Sequence, residues 1–139
     1  MQVRFYETVE DELLKFAVII TKSNGKWVFC KHKERDTYEV PGGHREVGEH
    51  IDETAKRELY EETGAIDYVI KQICVYSVVR EDEGTETFGK LYFADVTEFE
   101  GQLHSEIEKI ILTDELVDNR TYPLIQPKLL EEARRRGVI

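Results

Sequence analysis

The sequence predicts an α+β fold, a mixed β-sheet flanked by helices, on three observations. Short β-branched runs of strand length recur along the chain. Residues 51–63 and the stretch from Pro127 to Arg136 carry helical spacing or helix-end signals instead. The two kinds alternate irregularly, without repeats, low-complexity tracts or linkers, so one domain over residues 1–139 is expected, with helices on both faces of its sheet.

The elements follow in order. Residues 1–11 mix charges with Phe and Tyr and hold no apolar h-region, so no secretory signal is expected. Residues 13–21 form a β-branched, buried strand. Asn24-Gly25 marks a hairpin turn, and residues 27–31 return as its partner. A charged loop, Lys31 to Asp36, precedes the short extended segment Tyr38-Glu39-Val40. Pro41-Gly42-Gly43 then reads as a turn whose glycines let the backbone approach a ligand. Residues 68–79 are strand-like, residues 80–89 an acid-rich loop, residues 90–96 another strand, and residues 108–112 a further one after a polar loop. Thr113 is placed to cap a short helix. Pro127 suits the first turn of a last helix closed by Gly137, and the arginines 134–136 suit its C-terminal dipole.

Composition narrows the function classes. The 139 residues carry a net charge of −10, from 29 acidic and 19 basic side chains. A chain so acidic is no general nucleic-acid binder, which needs a basic face for the phosphates. An anionic substrate must then be met by metal ions and a few placed cations. Cys30 and Cys74 lie in apolar surroundings without metal or disulfide spacing, so both are expected as reduced core residues. The longest apolar run, Phe16 to Ile20, is far short of a membrane span. No membrane partner is expected, and the expected compartment is cytoplasmic.

The informative helix is residues 51–63. Ile51, Ala55 and Leu59 recur at every fourth position as one apolar stripe. His50 occupies the N-cap position with Glu53 placed to complete a capping box, and Gly64 stands where a left-handed C-terminal residue is wanted. At about 100° per residue, Glu58 and Glu62 fall within roughly 60° of that stripe, and Glu61 lies on its flank. A structural helix would place Leu or Val there. Buried carboxylates need a cation or a metal, and Arg57 is the one evident local counter-charge, so the cluster points to a hard divalent metal.

The whole spacing is Gly43-x5-Glu49-x7-Arg57-Glu58-Leu59-x-Glu61-Glu62-x-Gly64-Ala65. Seven fixed residues at roughly 7% each occur by chance on the order of once in a hundred million starts. The stretch resembles the Nudix box of the Nudix hydrolases, with Tyr38 to Gly42 similar to the family's approach to it. Ala65 is less bulky than the aliphatic residue often found last.

The resemblance implies a Nudix-type α/β/α sandwich and hydrolysis of a phosphoanhydride assisted by Mg2+, with Mn2+ as an alternative. It implies Glu58 and Glu62 as metal ligands, Glu61 as ligand or proton acceptor, and the Gly43 carbonyl as a further ligand. Arg57 would orient a neighbouring glutamate, with Glu49 behind it. A later loop carboxylate is expected as ligand or base, Glu106 in preference to Glu108. Lys31, ahead of Lys33 and Arg35, is the candidate phosphate contact, beside the backbone of Gly42 and Gly43. Asn119 or Gln126 is the candidate contact to a purine edge. His44 and His50 flank the box but suit an oxygen-seeking metal poorly.

The substrate implied is a small-molecule nucleotide. A MutT-like pyrophosphohydrolase acting on nucleoside triphosphates, oxidised purine nucleotides such as 8-oxo-dGTP included, leads. The chain lacks a proline between Pro41 and Pro123, which disfavours the ADP-ribose hydrolases. ADP-ribose, nucleotide sugars, dinucleoside polyphosphates and a non-catalytic nucleotide-sensing module are the alternatives. Monomer and homodimer both stay open.

Overall fold

The structure is a computed structural model that describes residues 1–101, 107–115 and 121–139. Its strands are β1 (Gln2–Tyr6), β2 (Leu14–Ser23), β3 (Lys26–His32), β4 (Gly42–His44), β5 (Ala65–Arg80), β6 (Thr85–Phe99) and β7 (Ile107–Thr113). Its helices are α1 (Ile51–Thr63) and α2 (Gln126–Arg135), with a 3-10 turn at Asp11–Leu13. The strands join one seven-stranded sheet in the order β1-β5-β6-β2-β3-β7, with β4 attached to β2. The β2–β6 pair is parallel and the others are antiparallel, so the sheet is mixed.

Alternation along the central strands divides the core into two layers. Ile19, Val75, Tyr92 and Ala94 pack with Ile51, Ala55 and Leu59 of α1. Their neighbours Ile20, Cys74, Tyr76, Val78 and Leu91 pack with Leu129, Leu130 and Ala133 of α2. A strand covered on both faces has no polar side, which is why residues 16–20 read as one apolar run. Cys30 and Cys74 are free and buried, as expected. Among the described residues, no helix is long and apolar enough to cross a membrane.

Helix α1 forms as its sequence dictates. His50 accepts from the Asp52 backbone N–H while Glu53 accepts from that of His50, and Gly64 closes the helix at φ 77°. Three expectations need correction. β1, unforeseen in the mixed N-terminal stretch, pairs with β5 through Gln2↔Val79 to Tyr6↔Val75. The acid-rich loop shrinks to a four-residue turn, because β5 runs to Arg80 and β6 starts at Thr85. Gly42–His44 is a strand rather than a turn, paired with Phe16–Val18 of β2. The helix expected from Thr113 lies largely in residues 116–120, outside the described residues; Asp114 and Glu115 form a bend.

The edge of β2 positions the site. β3 pairs with β2 only at Lys22 and Ser23, then continues along β7. The returning chain fills the gap: the Ile19 N–H bonds the Pro41 carbonyl at 2.8 Å, and β4 takes the rest of the β2 edge. α1 packs across β2 and β4, so its acidic flank meets the chain where β2 and β3 part.

Candidate active site

Two glycines let the helix carboxylates reach the sheet. A Cβ at Gly43 would overlap the carboxylate of Glu58, and a Cβ at Gly42 would lie 2.5 Å from the Ala17 carbonyl oxygen. The Gly42 N–H donates to Glu62 Oε1 at 2.7 Å. Glu62 is buried, and its other oxygen lies 3.0 Å from His32 Nε2 at the end of β3. The same His32 nitrogen lies 2.5 Å from Glu39 Oε1, so two buried carboxylates meet at one imidazole.

Arg57 gathers the remaining acids. Its Nε donates to Glu49 Oε2 at 2.7 Å, its Nη1 to Glu58 Oε1 at 2.6 Å and to Glu61 Oε2 at 3.3 Å, and its Nη2 to the His44 carbonyl at 2.9 Å. Glu49 also accepts from the Thr54 hydroxyl at 2.7 Å and caps the Glu46 N–H at 3.1 Å. The guanidinium thus presents a rigid fork of donors to these acceptors, which a lysine could not match.

The electrostatics follow from burial. Glu58 is pushed up to about 7, first by burial and then by the charge of Glu62. Burial raises Glu62 as well, against the His32 and Gly42 hydrogen bonds that favour its charged form. The hydrogen bond to Glu62 leads the effects that lift His32 above the ordinary imidazole value. Glu49 goes the other way, held down to about 2 by Arg57.

His32, Glu39, Arg57, Glu58, Glu61 and Glu62 line one wall of a cavity of about 730 Å³. The other walls are Val18, Val40, Val78, Ile125 and Leu129, with Arg35 and Tyr122 at the rim. Arg35 lies over the Tyr122 ring, 5.9 Å from its centroid, and pairs with Glu39 at 3.0 Å. The volume suits a small organic ligand.

The donors fit a divalent cation. The close approach of Glu58 to the Gly43 main chain leaves no room for any side chain there, and the donors are all oxygens. Arg57 supplies one positive charge to Glu49, Glu58 and Glu61, so the acids around it outnumber their local counter-charge. A hard cation that takes few carboxylates relieves that excess. A tighter cluster lies just behind: among the described residues, Cys30, Glu39 and Glu62 place ligand atoms within 4.8 Å of one another. Burial pushes the Cys30 thiol far up, so it stays protonated and is a poor ligand.

The family model for the NUDIX domain matches residues 12–139. The chain belongs to the Nudix hydrolases. A Bacillus subtilis (strain 168) protein described as "Putative 8-oxo-dGTP diphosphatase YtkD" is 32% identical over 120 residues, 86% of this chain and 74% of that protein. The crystal structure of a mutant of the Bacillus subtilis pyrophosphohydrolase BsRppH superposes with a TM-score of 0.79 at 27% identity, over 97% of this chain and 91% of that one. The Caenorhabditis elegans Ap4A hydrolase in a binary complex shares the fold, with a TM-score of 0.67 at 16% identity, over 90% and 100% of the two chains.

Against this Nudix hydrolase structure, the expected site residues divide. Gly42, Gly43, Arg57, Glu58, Glu61 and Glu62 all line the cavity, with Glu49 behind Arg57. Lys31 does not line it: its ammonium pairs with Glu108 at 2.7 Å, and Arg35 is the loop cation on the cavity wall. That pairing also directs Glu108 to Lys31. Gln126 lines the cavity, but its amide is engaged, accepting from the Val40 N–H at 2.9 Å and donating to the Val40 carbonyl at 3.4 Å. Both ends of the amide are thus bonded to the Val40 main chain, which ties the start of α2 to the cavity wall. Glu106 and Asn119 lie outside the described residues. His32 and Glu39 were not foreseen. The one signal for His32 is that it shares a strand face with buried Cys30, two positions earlier.

Proposed function

We propose that the protein is an Mg2+-dependent pyrophosphohydrolase that splits nucleoside triphosphates, oxidised purine nucleotides such as 8-oxo-dGTP foremost, into a nucleoside monophosphate and pyrophosphate. The observation that carries this is the Glu58 carboxylate seated against the Gly43 main chain, beside Glu61 and Glu62, on the wall of a nucleotide-sized cavity. The 32% identical relative described as "Putative 8-oxo-dGTP diphosphatase YtkD" supports this choice of substrate, and the similarity to a pyrophosphohydrolase supports the reaction.

Glu58, Glu62 and the Gly43 carbonyl would hold the Mg2+. When bound, the ion supplies a Lewis acid for the phosphoryl oxygens and lowers the pKa of a water. Arg57 keeps Glu58 and Glu61 in fixed relation, and Glu49 keeps Arg57 in place. Glu61, the most exposed of the three helix carboxylates, accepts the proton of the attacking water. The water oxygen bonds to phosphorus, the anhydride between the first and second phosphates breaks, and pyrophosphate leaves. The apolar walls around Val18, Ile125 and Leu129 take the base, and Arg35 at the rim meets substrate charge. The protein acts from the cytoplasm without nucleic-acid or membrane partners.

The test is a screen with Mg2+ against dGTP, 8-oxo-dGTP, the other triphosphates, ADP-ribose, a nucleotide sugar and a dinucleoside tetraphosphate. The largest kcat/KM is expected for a purine triphosphate. A larger value for ADP-ribose or the dinucleotide overturns the substrate reading.

A further inference from the structure

We propose that His32 is a positioning residue for Glu62, fixing a metal-binding carboxylate from a different strand; the proposal rests on the metal assignment above. Each Glu62 oxygen has a separate donor: the Gly42 N–H holds Oε1 at 2.7 Å, and His32 Nε2 stands 3.0 Å from Oε2. Two donors on two oxygens set the plane of a carboxylate and leave a lone pair on each oxygen for another partner. Either donor alone would leave the group free to turn about its last bond.

His32 is itself anchored. The Cys30–Glu39 bridge, with N–H to O distances of 2.9 Å in both directions, ties the end of β3 to the chain entering β4. Glu39, 5% exposed, lies 2.5 Å from the same imidazole nitrogen and is braced from outside by Arg35 at 3.0 Å. Burying two carboxylates this close is costly without a donor between them, so the sequence has reason to keep an imidazole there. The link runs from the cavity rim at Arg35, through Glu39 and His32, to Glu62. Hydrogen bonds behind a metal-binding group orient it, and their loss typically costs about 10- to 100-fold in metal affinity.

The experiment compares His32→Gln, His32→Asn and His32→Ala. The Gln amide nitrogen falls near the position of Nε2, whereas the shorter Asn cannot span the gap to Glu62. Mg2+ affinity is read without nucleotide, from the rise of Tm with Mg2+ concentration. Turnover of a nucleoside triphosphate is then measured at saturating Mg2+. His32→Gln is expected within about threefold of the parent in Mg2+ affinity. His32→Asn and His32→Ala are expected to lose about 10- to 100-fold, with kcat lowered and the substrate KM little changed. Equal Mg2+ affinity in His32→Gln and His32→Asn overturns the proposal, as does parental affinity in His32→Ala. If His32→Ala does not fold, the Gln–Asn pair decides alone; if neither of those folds, His32 is structural and the proposal is overturned. The Mg2+ titration contains no substrate, so the expected pattern in a protein that cleaves no triphosphate would sink the substrate reading only.

Discussion

Glu58 lies so close to the main chain of Gly43 that a single methyl at position 43 would occupy the space of its carboxylate. The helix acid and the sheet glycine therefore form one unit, and the requirement for glycine is steric. The backbone of β4 is otherwise extended and paired with β2, where alanine is tolerated. Gly43→Ala is expected to fold, to displace Glu58, and to lose on the order of a hundredfold in turnover, the scale of losing an essential stabilising group. Steady-state kinetics beside a thermal melt will check this; near-parental turnover would show that Glu58 can serve from elsewhere.

The raised Glu58 makes the metal-free protein sensitive to pH. Its value rises from 4.5 to about 7 on folding, with burial as the main cause. A group raised in the folded state contributes stability that is complete below the unfolded value and is lost as pH climbs through the folded one. Between about pH 4.5 and 7 the parent should therefore lose stability relative to Glu58→Gln, by at most on the order of 3 kcal/mol. Denaturant unfolding of both proteins at pH 5 and pH 8 in EDTA will measure it. Saturating Mg2+ should reduce the loss, since the ion favours the charged carboxylate. A parent–variant difference independent of pH would contradict the assignment.

Arg57 reaches Glu49, Glu58, Glu61 and the His44 carbonyl with one planar group. A lysine keeps the charge but offers a point donor that cannot span them. Arg57→Lys is expected to lower kcat about 10- to 100-fold and to lower Tm by several degrees, as several hydrogen bonds around partly buried carboxylates go unmade. Glu49→Gln should give a milder version of both effects. Kinetics and melting curves of the two variants, compared in the same buffer, test the order.

What was legible in the sequence was local. Helix α1, both its caps and the spacing of Glu58, Glu61 and Glu62 follow from i to i+4 geometry, which one turn of sequence contains. β1 was hidden because its partner, β5, lies far along the chain, as in Gln2↔Val79. β4 was hidden because Gly42-Gly43 looks like a turn, and only the free edge of β2 makes it a strand. Lys31 and Arg35 differ in direction, which the sequence does not show. Lys31 sits where β3 still pairs with β7 and turns to Glu108, while Arg35 lies beyond the strand end and reaches Glu39. Gln126 showed a free amide in sequence, and only the packing of α2 against Val40 occupies it. His32 and Glu39 read as members of a charged loop, and the Cys30–Glu39 bridge alone brings them together.

The proposed function requires metal-dependent cleavage to pyrophosphate. The measurement is a 31P NMR time course of a purine nucleoside triphosphate with the purified protein, first in EDTA and then after Mg2+ is added in excess to the same tube. Triphosphate signals should stay unchanged in EDTA, and monophosphate and pyrophosphate should grow in equal amounts once Mg2+ is present. Orthophosphate as the first product, or full turnover in EDTA, would contradict the proposed function.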